Sequence, residues 1–246
     1  MHVTRYQRTV AIGLGASLAG GLIAATAGTA AGAPRAAVRT PAAAAPSRPA
    51  AHHHKLVGTF TIKRGRAHGK KVSGSYFRMI TPVGSYFSNS SSHARGGTYT
   101  LLKPGTNKGL RTGTYQPQPS RAFDNNGNSL AGRIIKPTNF ENVKFAVSTA
   151  KVDPQTGTTV RAPRIKVSGH KLTGDVRAFA ASWNKQNFNQ GSPKPNGAYS
   201  GHTTKLRGKY HRKSHKYSLT WRSQIVGGPF NGFSGLWHLT GTFHAR

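Results

Sequence analysis

Hydrophobic and polar residues alternate with a period of two in several separate stretches of this chain. The clearest are residues 143–148, 217–222 and 237–244, where large apolar side chains alternate with Lys, Ser, Thr, His or Arg. Because residues i and i+2 of a strand point to the same face, this pattern predicts strands with one buried face. No long helical periodicity occurs after residue 55.

Glycine and proline interrupt residues 55–246 often enough to bound about ten short strands. We therefore predict an all-β domain over residues 55–246, folded as a single antiparallel β-barrel or sandwich. Gly-x-aromatic triplets recur along it, and the tetrapeptide GSYF occurs twice, at residues 74–77 and 84–87. A glycine leaves a gap beside an aromatic ring on the same face, which lets a bent sheet close, so we expect most of these rings in the core.

The N-terminal region is different in composition. A basic start with Arg5 and Arg8 precedes an uncharged run rich in Ala and Gly, which predicts a secretory signal peptide over residues 1–33. A retained N-terminal anchor is the alternative, although much of the run is weakly apolar and we expect no stable membrane span. Residues 34–54 are rich in Ala and Pro and predict a disordered linker. Because of the predicted signal peptide, the protein is expected outside the cell or associated with its wall.

Charge is the second strong signal. The formal net charge is +32, from 36 Lys and Arg against 4 Asp and Glu. The cations concentrate in two expected hairpin turns, a first basic segment (residues 63–71) and a second basic segment (residues 205–216). The candidate polyanion-binding residues are Lys205, Arg207, Lys209, His211, Arg212, Lys213, His215, Lys216, Arg64, Arg66, Lys70 and Lys71.

Such a field concentrates polyanions near the protein and speeds their association. For an exported protein the expected partners are wall polymers, polyphosphate or acidic polysaccharides, with nucleic acid bound only non-specifically, since no nucleic-acid-binding motif is present. A cationic surface that is merely solvated is the alternative interpretation. The sequence leaves the oligomeric state open.

A secreted hydrolase is the least expected alternative, because the chain has only four carboxylates from which a catalytic acid and base could be drawn. Glu141 and Asp175 are the best acid–base candidates, but a charge partner is the stronger expectation for Asp175 among so many cations. Asp153 stands in VDPQTG, which is typical of a turn. Asp124 begins a calcium-like FDNNGN stretch, but Ser129 and Ile135 replace the Gly and Glu that such a loop needs.

Other catalytic and metal-binding patterns are also incomplete. The chain has no Cys, no nucleophile elbow and no phosphate loop or dinucleotide fingerprint. His211 and His215 have zinc-like spacing without a helical pattern, and His52, His53 and His54 belong to the expected linker. We therefore expect no cofactor and no metal.

A small-ligand pocket is the alternative function. The stretch from residue 184 to residue 197 is expected to be a long irregular loop at the mouth of the domain. Flat rings beside amides suit a neutral or sugar-like ligand, because the ring covers C–H groups and the amides bond hydroxyls. The candidates are Trp183, Asn184, Gln186, Asn187, Phe188, Asn189 and Gln190, although Trp183 and Phe188 would also serve simply to pin the loop.

Two resemblances follow from particular stretches. FAASWNKQNFNQGSPKPNG and SLTWRSQIVGGPFNGFSGLWHLTGTF resemble uncharacterised secreted proteins of high-GC Gram-positive bacteria, and this resemblance implies export. More distantly, Gly58-Thr59-Phe60 and the final WHLTGTF are similar to the closing strands of lipocalin-like and avidin-like barrels. Those barrels have Gly-x-Trp where this chain has Gly-x-Phe and are shorter, so no pocket residue is carried over.

Overall fold

Sixteen short strands run through residues 53–246, the part of the chain that the computed structural model describes. In chain order they are β1 (His54–Leu56), β2 (Gly58–Thr61), β3 (Arg66–His68), β4 (Lys71–Ser73), β5 (Tyr76–Ile80), β6 (Thr100–Leu101), β7 (Gly109–Arg111), β8 (Ile135–Phe140), β9 (Val143–Thr149), β10 (Arg164–Ser168), β11 (Lys171–Asp175), β12 (Phe179–Trp183), β13 (Gln186–Asn189), β14 (Leu206–Tyr210), β15 (Lys216–Gln224) and β16 (Ser234–Ala245).

The all-β, antiparallel prediction is confirmed, although the described residues form more strands than the ten expected. The predicted signal peptide and nearly all of the predicted linker lie outside the described residues. Within the described range, β1 begins at His54 and pairs with β10. No helix of these residues is long and apolar enough to cross a membrane.

Ten strands form one large sheet in the order β1-β10-β11-β14-β15-β16-β2-β7, with β5 and β6 joined to it through β16. Only Val57 separates β1 from β2, yet β1 pairs with β10 and β2 pairs with β16. The sheet therefore curls round until its two arms meet at this segment. β16 is its spine, pairing with β15 along one edge and with β5 and then β2 along the other.

Glycines permit this curl where strands approach one another too closely for a side chain. A Cβ built on Gly241 of β16 would collide with the carbonyl oxygen of Thr61, the last residue of β2. A Cβ on Gly208 of β14 would collide with the backbone of Ser218 on β15. These two glycines belong to the Gly-x-aromatic triplets, and the aromatic partners Phe243 and Tyr210 are buried, as expected for the core.

A second sheet, β13-β12-β9-β8, packs its apolar face on the concave face of the large sheet. Phe179 of β12 lies 5.1 Å from Trp221 and 5.0 Å from Trp237, measured between ring centroids. These rings join the two sheets in one continuous apolar core. Strand β8 contains Pro137, and its register with β9 shifts at that point, because proline cannot donate to a ladder.

The prediction that residues 184–197 form an irregular loop is wrong for its first half. Asn184 and Lys185 have positive φ angles of 48° and 59° and make the tight turn between β12 and β13. Gln186–Asn189 is a strand paired with β12. The amides hid this strand from pattern analysis, because polar residues occupy positions where a buried strand usually carries apolar ones.

Candidate anion-binding surface

The second basic segment is a β-hairpin with a short turn. Strands β14 and β15 pair up to Tyr210 and Tyr217, and the amide N–H of His211 donates to the carbonyl of Lys216 over 2.9 Å. The turn itself holds Arg212, Lys213 and Ser214. Tyr210 and Tyr217 anchor it because both rings are buried beneath the hairpin.

The structure exposes every predicted cation of the two basic segments. The described residues contain one salt bridge, between Asp175 and Arg177, so none of these cations is neutralised by a carboxylate. The exposed set consists of Lys205, Arg207, Lys209, His211, Arg212, Lys213, His215, Lys216, Arg64, Arg66, Lys70 and Lys71.

His215 is held more firmly than its neighbours. It adopts a left-handed φ of 53°, and its Nδ1 lies 2.7 Å from the Tyr210 hydroxyl. Burial raises the pKa of Tyr210, while the nearby charge of Arg212 lowers it in part. The ring of His215 is thereby fixed against the sheet, whereas the turn cations Arg212 and Lys213 are exposed to solvent.

Strand pairing adds cations that the sequence analysis missed. Lys171 of β11 lies directly opposite Lys209 of β14, and Arg212 donates to the carbonyl of Gly169 in the turn between β10 and β11. Further along the sheet, Lys55 of β1 is opposite Lys166 of β10. These lysines are isolated in the sequence, so only the pairing register brings them to the hairpin's side of the sheet.

The two basic segments adjoin at one point. Lys63 and Lys216 line the same depression of about 490 Å³, and the Lys63 amide N–H donates to Thr240 of β16 over 2.7 Å. The rest of the first segment forms the two-stranded sheet β3-β4, whose tip accepts a hydrogen bond from Arg95 at the Lys70 carbonyl. The two basic segments therefore approach each other at Lys63 and Lys216, while the tip of the β3–β4 hairpin extends towards Arg95.

The four carboxylates all accept hydrogen bonds from other residues of the protein. Both oxygens of Asp175 bond to Arg177, as expected for a charge partner, with a closest separation of 2.8 Å. Asp153 accepts the backbone N–H groups of Gln155 and Thr156, which confirms its turn role. Asp124 accepts the Asn128 side chain and two backbone N–H groups. The Asn128 side-chain bond, followed by the backbone bonds, lowers the pKa of Asp124.

Glu141 is the remaining acid, and it lies in the turn between β8 and β9. Its oxygens accept the backbone N–H and the hydroxyl of Ser90 over 2.8 and 3.1 Å. Each of the four carboxylates thus has a structural partner of its own. Within residues 53–246 no cluster of three or more His, Asp or Glu has the arrangement of a metal site.

An apolar cavity of about 50 Å³ opens beside Trp183, between the large sheet and the second sheet. Three of the predicted pocket residues line it: Trp183, Phe188 and Gln190. The Trp183 indole N–H donates to the carbonyls of Phe140 and Val143, so this ring pins β12 to the β8–β9 turn. Phe230, from the glycine-rich loop 226–233, covers the cavity from the solvent side.

The predicted amides are directed elsewhere. The side-chain oxygen of Asn187 accepts from Ser182, and the Asn189 amide donates to Asp153 over 2.6 Å. Asn184 belongs to the turn, and Gln186 is exposed at the start of β13. Gln190 accepts the indole N–H of Trp237 over 3.1 Å. The cavity is therefore lined almost entirely by carbon, with its one amide already bonded.

Comparison of the chain with protein-family models, with curated proteins and with solved structures gives no match.

Proposed function

We propose that this protein is a non-catalytic, exported β module that binds anionic extracellular or cell-wall polymers through its basic hairpin. The observation that carries the proposal is the β14–β15 hairpin, where exposed cations without carboxylate partners surround one turn. The exposed Lys171 on the neighbouring strand supports it further, since it lies opposite Lys209. The binding is electrostatic and needs no cofactor or metal.

Salt dependence distinguishes this function from simple pocket binding. If the six Lys and Arg of residues 205–216 each contact one phosphate, raising salt from 50 to 200 mM weakens binding roughly a thousandfold, by analogy with the slope of about −0.9 per contact on duplex DNA. Binding in an apolar cavity depends little on salt.

The test replaces Arg212, Lys213 and Lys216 by Ser. We expect the triple variant to lose up to about three contacts from the salt slope for polyphosphate, measured by titration at several salt concentrations. All three side chains are exposed, so the circular dichroism spectrum should not change.

A matched control removes three exposed cations from other segments, Lys151, Arg161 and Arg121, and has the same net charge as the triple variant. It should keep a slope close to that of the parent. Equal binding by the parent and the hairpin variant at every salt concentration would show that the hairpin is only a solvated turn.

The cavity beside Trp183 favours a second candidate function, the binding of a small neutral ligand. Its volume is about a third of the 150 Å³ that accommodates a benzene in a protein core, so a sugar ring would require Phe230 to move away. The carbon lining is more compatible with a slim apolar group than with sugar hydroxyls. Such a ligand should change the fluorescence of Trp183 and should bind equally well at low and high salt.

A further inference from the structure

The convex face of the large sheet carries a continuous cross-strand row. Starting from β14, Arg207 is opposite Thr220 of β15, Thr220 is opposite His238 of β16, and His238 is opposite Tyr76 of β5. Neighbouring strands are about 4.8 Å apart, so this row spans roughly 14 Å. Within one row the face passes from a cation through a hydroxyl and an imidazole to an aromatic ring.

A parallel row two residues away repeats the separation of charges. Arg222 of β15 is opposite Leu236 of β16, and Leu236 is opposite Arg78 of β5. Two strand steps put the two arginines roughly 10 Å apart across an uncharged residue. The four acids of the chain lie in other segments, each held by the partners already described. Arg222 and Arg78 are therefore spaced apart on this face, in contrast to Lys171 and Lys209, which lie directly opposite each other.

The aromatic end of the face is a stacked cluster. The His238 ring stacks on Tyr76 with centroids 4.7 Å apart, and Tyr76 meets Tyr99 edge-on at 4.8 Å. The Arg78 guanidinium lies over both Tyr99 and Tyr86, at 4.0 and 3.1 Å from the ring centroids. Tyr76 and Tyr86 are the tyrosines of the two GSYF copies, and Tyr86 is 42% exposed.

We propose that this face binds a polymer in which phosphate groups alternate with sugar rings. Spaced arginines match anions that are separated by a sugar better than the adjacent charges of polyphosphate. The Thr220 hydroxyl of the neighbouring row lies 2.8 Å from Nδ1 of His238 and can accept a further hydrogen bond from a sugar hydroxyl, and the exposed ring of Tyr86 can cover the C–H groups of a sugar. This inference rests on the proposed function and names the class of polymer that it concerns.

The test compares three probes on the purified protein at fixed salt: phosphomannan, which carries both groups, polyphosphate, which lacks sugar, and mannan, which lacks phosphate. We expect phosphomannan to bind about tenfold more tightly per phosphate than polyphosphate, and mannan to bind weakly. Tyr86→Ala should weaken phosphomannan binding about fivefold and leave polyphosphate binding unchanged, because it removes the exposed ring while Arg78 keeps its charge and its contacts with Thr98 and Tyr99.

Leu130→Ala is the matched control, since Leu130 is a large apolar side chain exposed to a similar extent, 45%, but lies outside the strands of this face. It should bind phosphomannan like the parent. Arg222→Ser should weaken phosphomannan binding and lower its salt slope by about one contact. Circular dichroism of each variant excludes unfolding as the cause.

The outcomes separate this inference from the proposed function. Equal binding of phosphomannan and polyphosphate, with Tyr86→Ala affecting neither while the hairpin variant weakens both, would overturn the sugar-phosphate proposal and leave the proposed function standing. Failure of both charged polymers to bind would overturn the two together. Salt-independent binding of mannan as tight as that of phosphomannan would show a sugar site without an anion site and would also overturn both.

Discussion

Lys194 is the most unusual single residue, because a lysine side chain is rarely buried unless it is paired. It is 6% exposed, and its ammonium donates to the carbonyls of Asn189 and Gln224 and to the hydroxyl of Ser223. Burial lowers the pKa of Lys194 to about 8, against a smaller upward effect from the Asp153 charge. All three donors are used, so the residue fixes the chain after β13 to the end of β15.

This pKa makes stability depend on pH in a defined window. The unfolded chain binds more protons than the folded one between about pH 8 and pH 10.5, so the contribution of Lys194 to stability rises with pH across that range. We expect the parent to gain up to about 3 kcal/mol relative to Lys194→Met between these limits. Urea unfolding of both proteins at each pH measures the difference, from which other titrating groups cancel.

Lys166→Met serves as the control, because Lys166 is exposed on β10. Its unfolding free energy should follow that of the parent at every pH. A constant difference between the parent and Lys194→Met from pH 8 to pH 10.5 would mean that the lysine is not desolvated in the folded protein.

At the scale of elements, β16 decides the architecture. It is twelve residues long, pairs with three other strands and carries both Trp237 and Leu239 into the core. Its alternating pattern was legible in the sequence. Its change of partner from β5 to β2 could not be predicted from that pattern, because it depends on the missing side chain of Gly241, which lets the backbone of Thr61 approach.

Gly241→Ala should therefore destabilise the protein by about 1–3 kcal/mol, since the added methyl group meets a backbone oxygen that cannot move freely. The midpoint of urea unfolding measures the loss. Thr242→Ala, at the next residue, adds no atom and should change stability by less than about 0.5 kcal/mol. Equal stability of the Gly241 variant and the parent would show that β16 and β2 have room to separate.

For the whole molecule, the dominant property is a large positive charge with few internal counter-charges. A net charge of +32 with one salt bridge among the described residues implies self-repulsion that a bound polyanion relieves. This makes the expected location relevant, because anionic polymers are abundant at the cell surface. The N-terminal pattern of the sequence predicts that the protein is located there.

Export predicts a mature protein that begins between about residue 28 and residue 37. N-terminal sequencing of the protein recovered from the culture medium or wall fraction checks this, with the cell membrane fraction as the comparison. Recovery of an intact residue-1 form fixed in the membrane would contradict it and favour a retained anchor.

Local features could be predicted from the residues alone: an all-β chain, the alternating strands around Leu219 and Leu239, and the exposed turn at Arg212 and Lys213. These follow from side-chain periodicity and turn chemistry, which act between residues close in the chain. The sequence also indicated an aromatic pocket near Trp183, but its polar residues wrongly predicted a loop where β13 lies.

Contacts between residues that are distant in the chain could be identified only from the assembled fold. Lys171 lies beside Lys209, Tyr76 stacks on His238 and Tyr86 stacks on Arg78, although most Gly-x-aromatic rings were expected in the core. The register between strands far apart in sequence is set by backbone pairing and by burial of the opposite face. Neither can be read from the local pattern of residues. The face proposed to bind sugar phosphates is therefore visible only in the folded sheet.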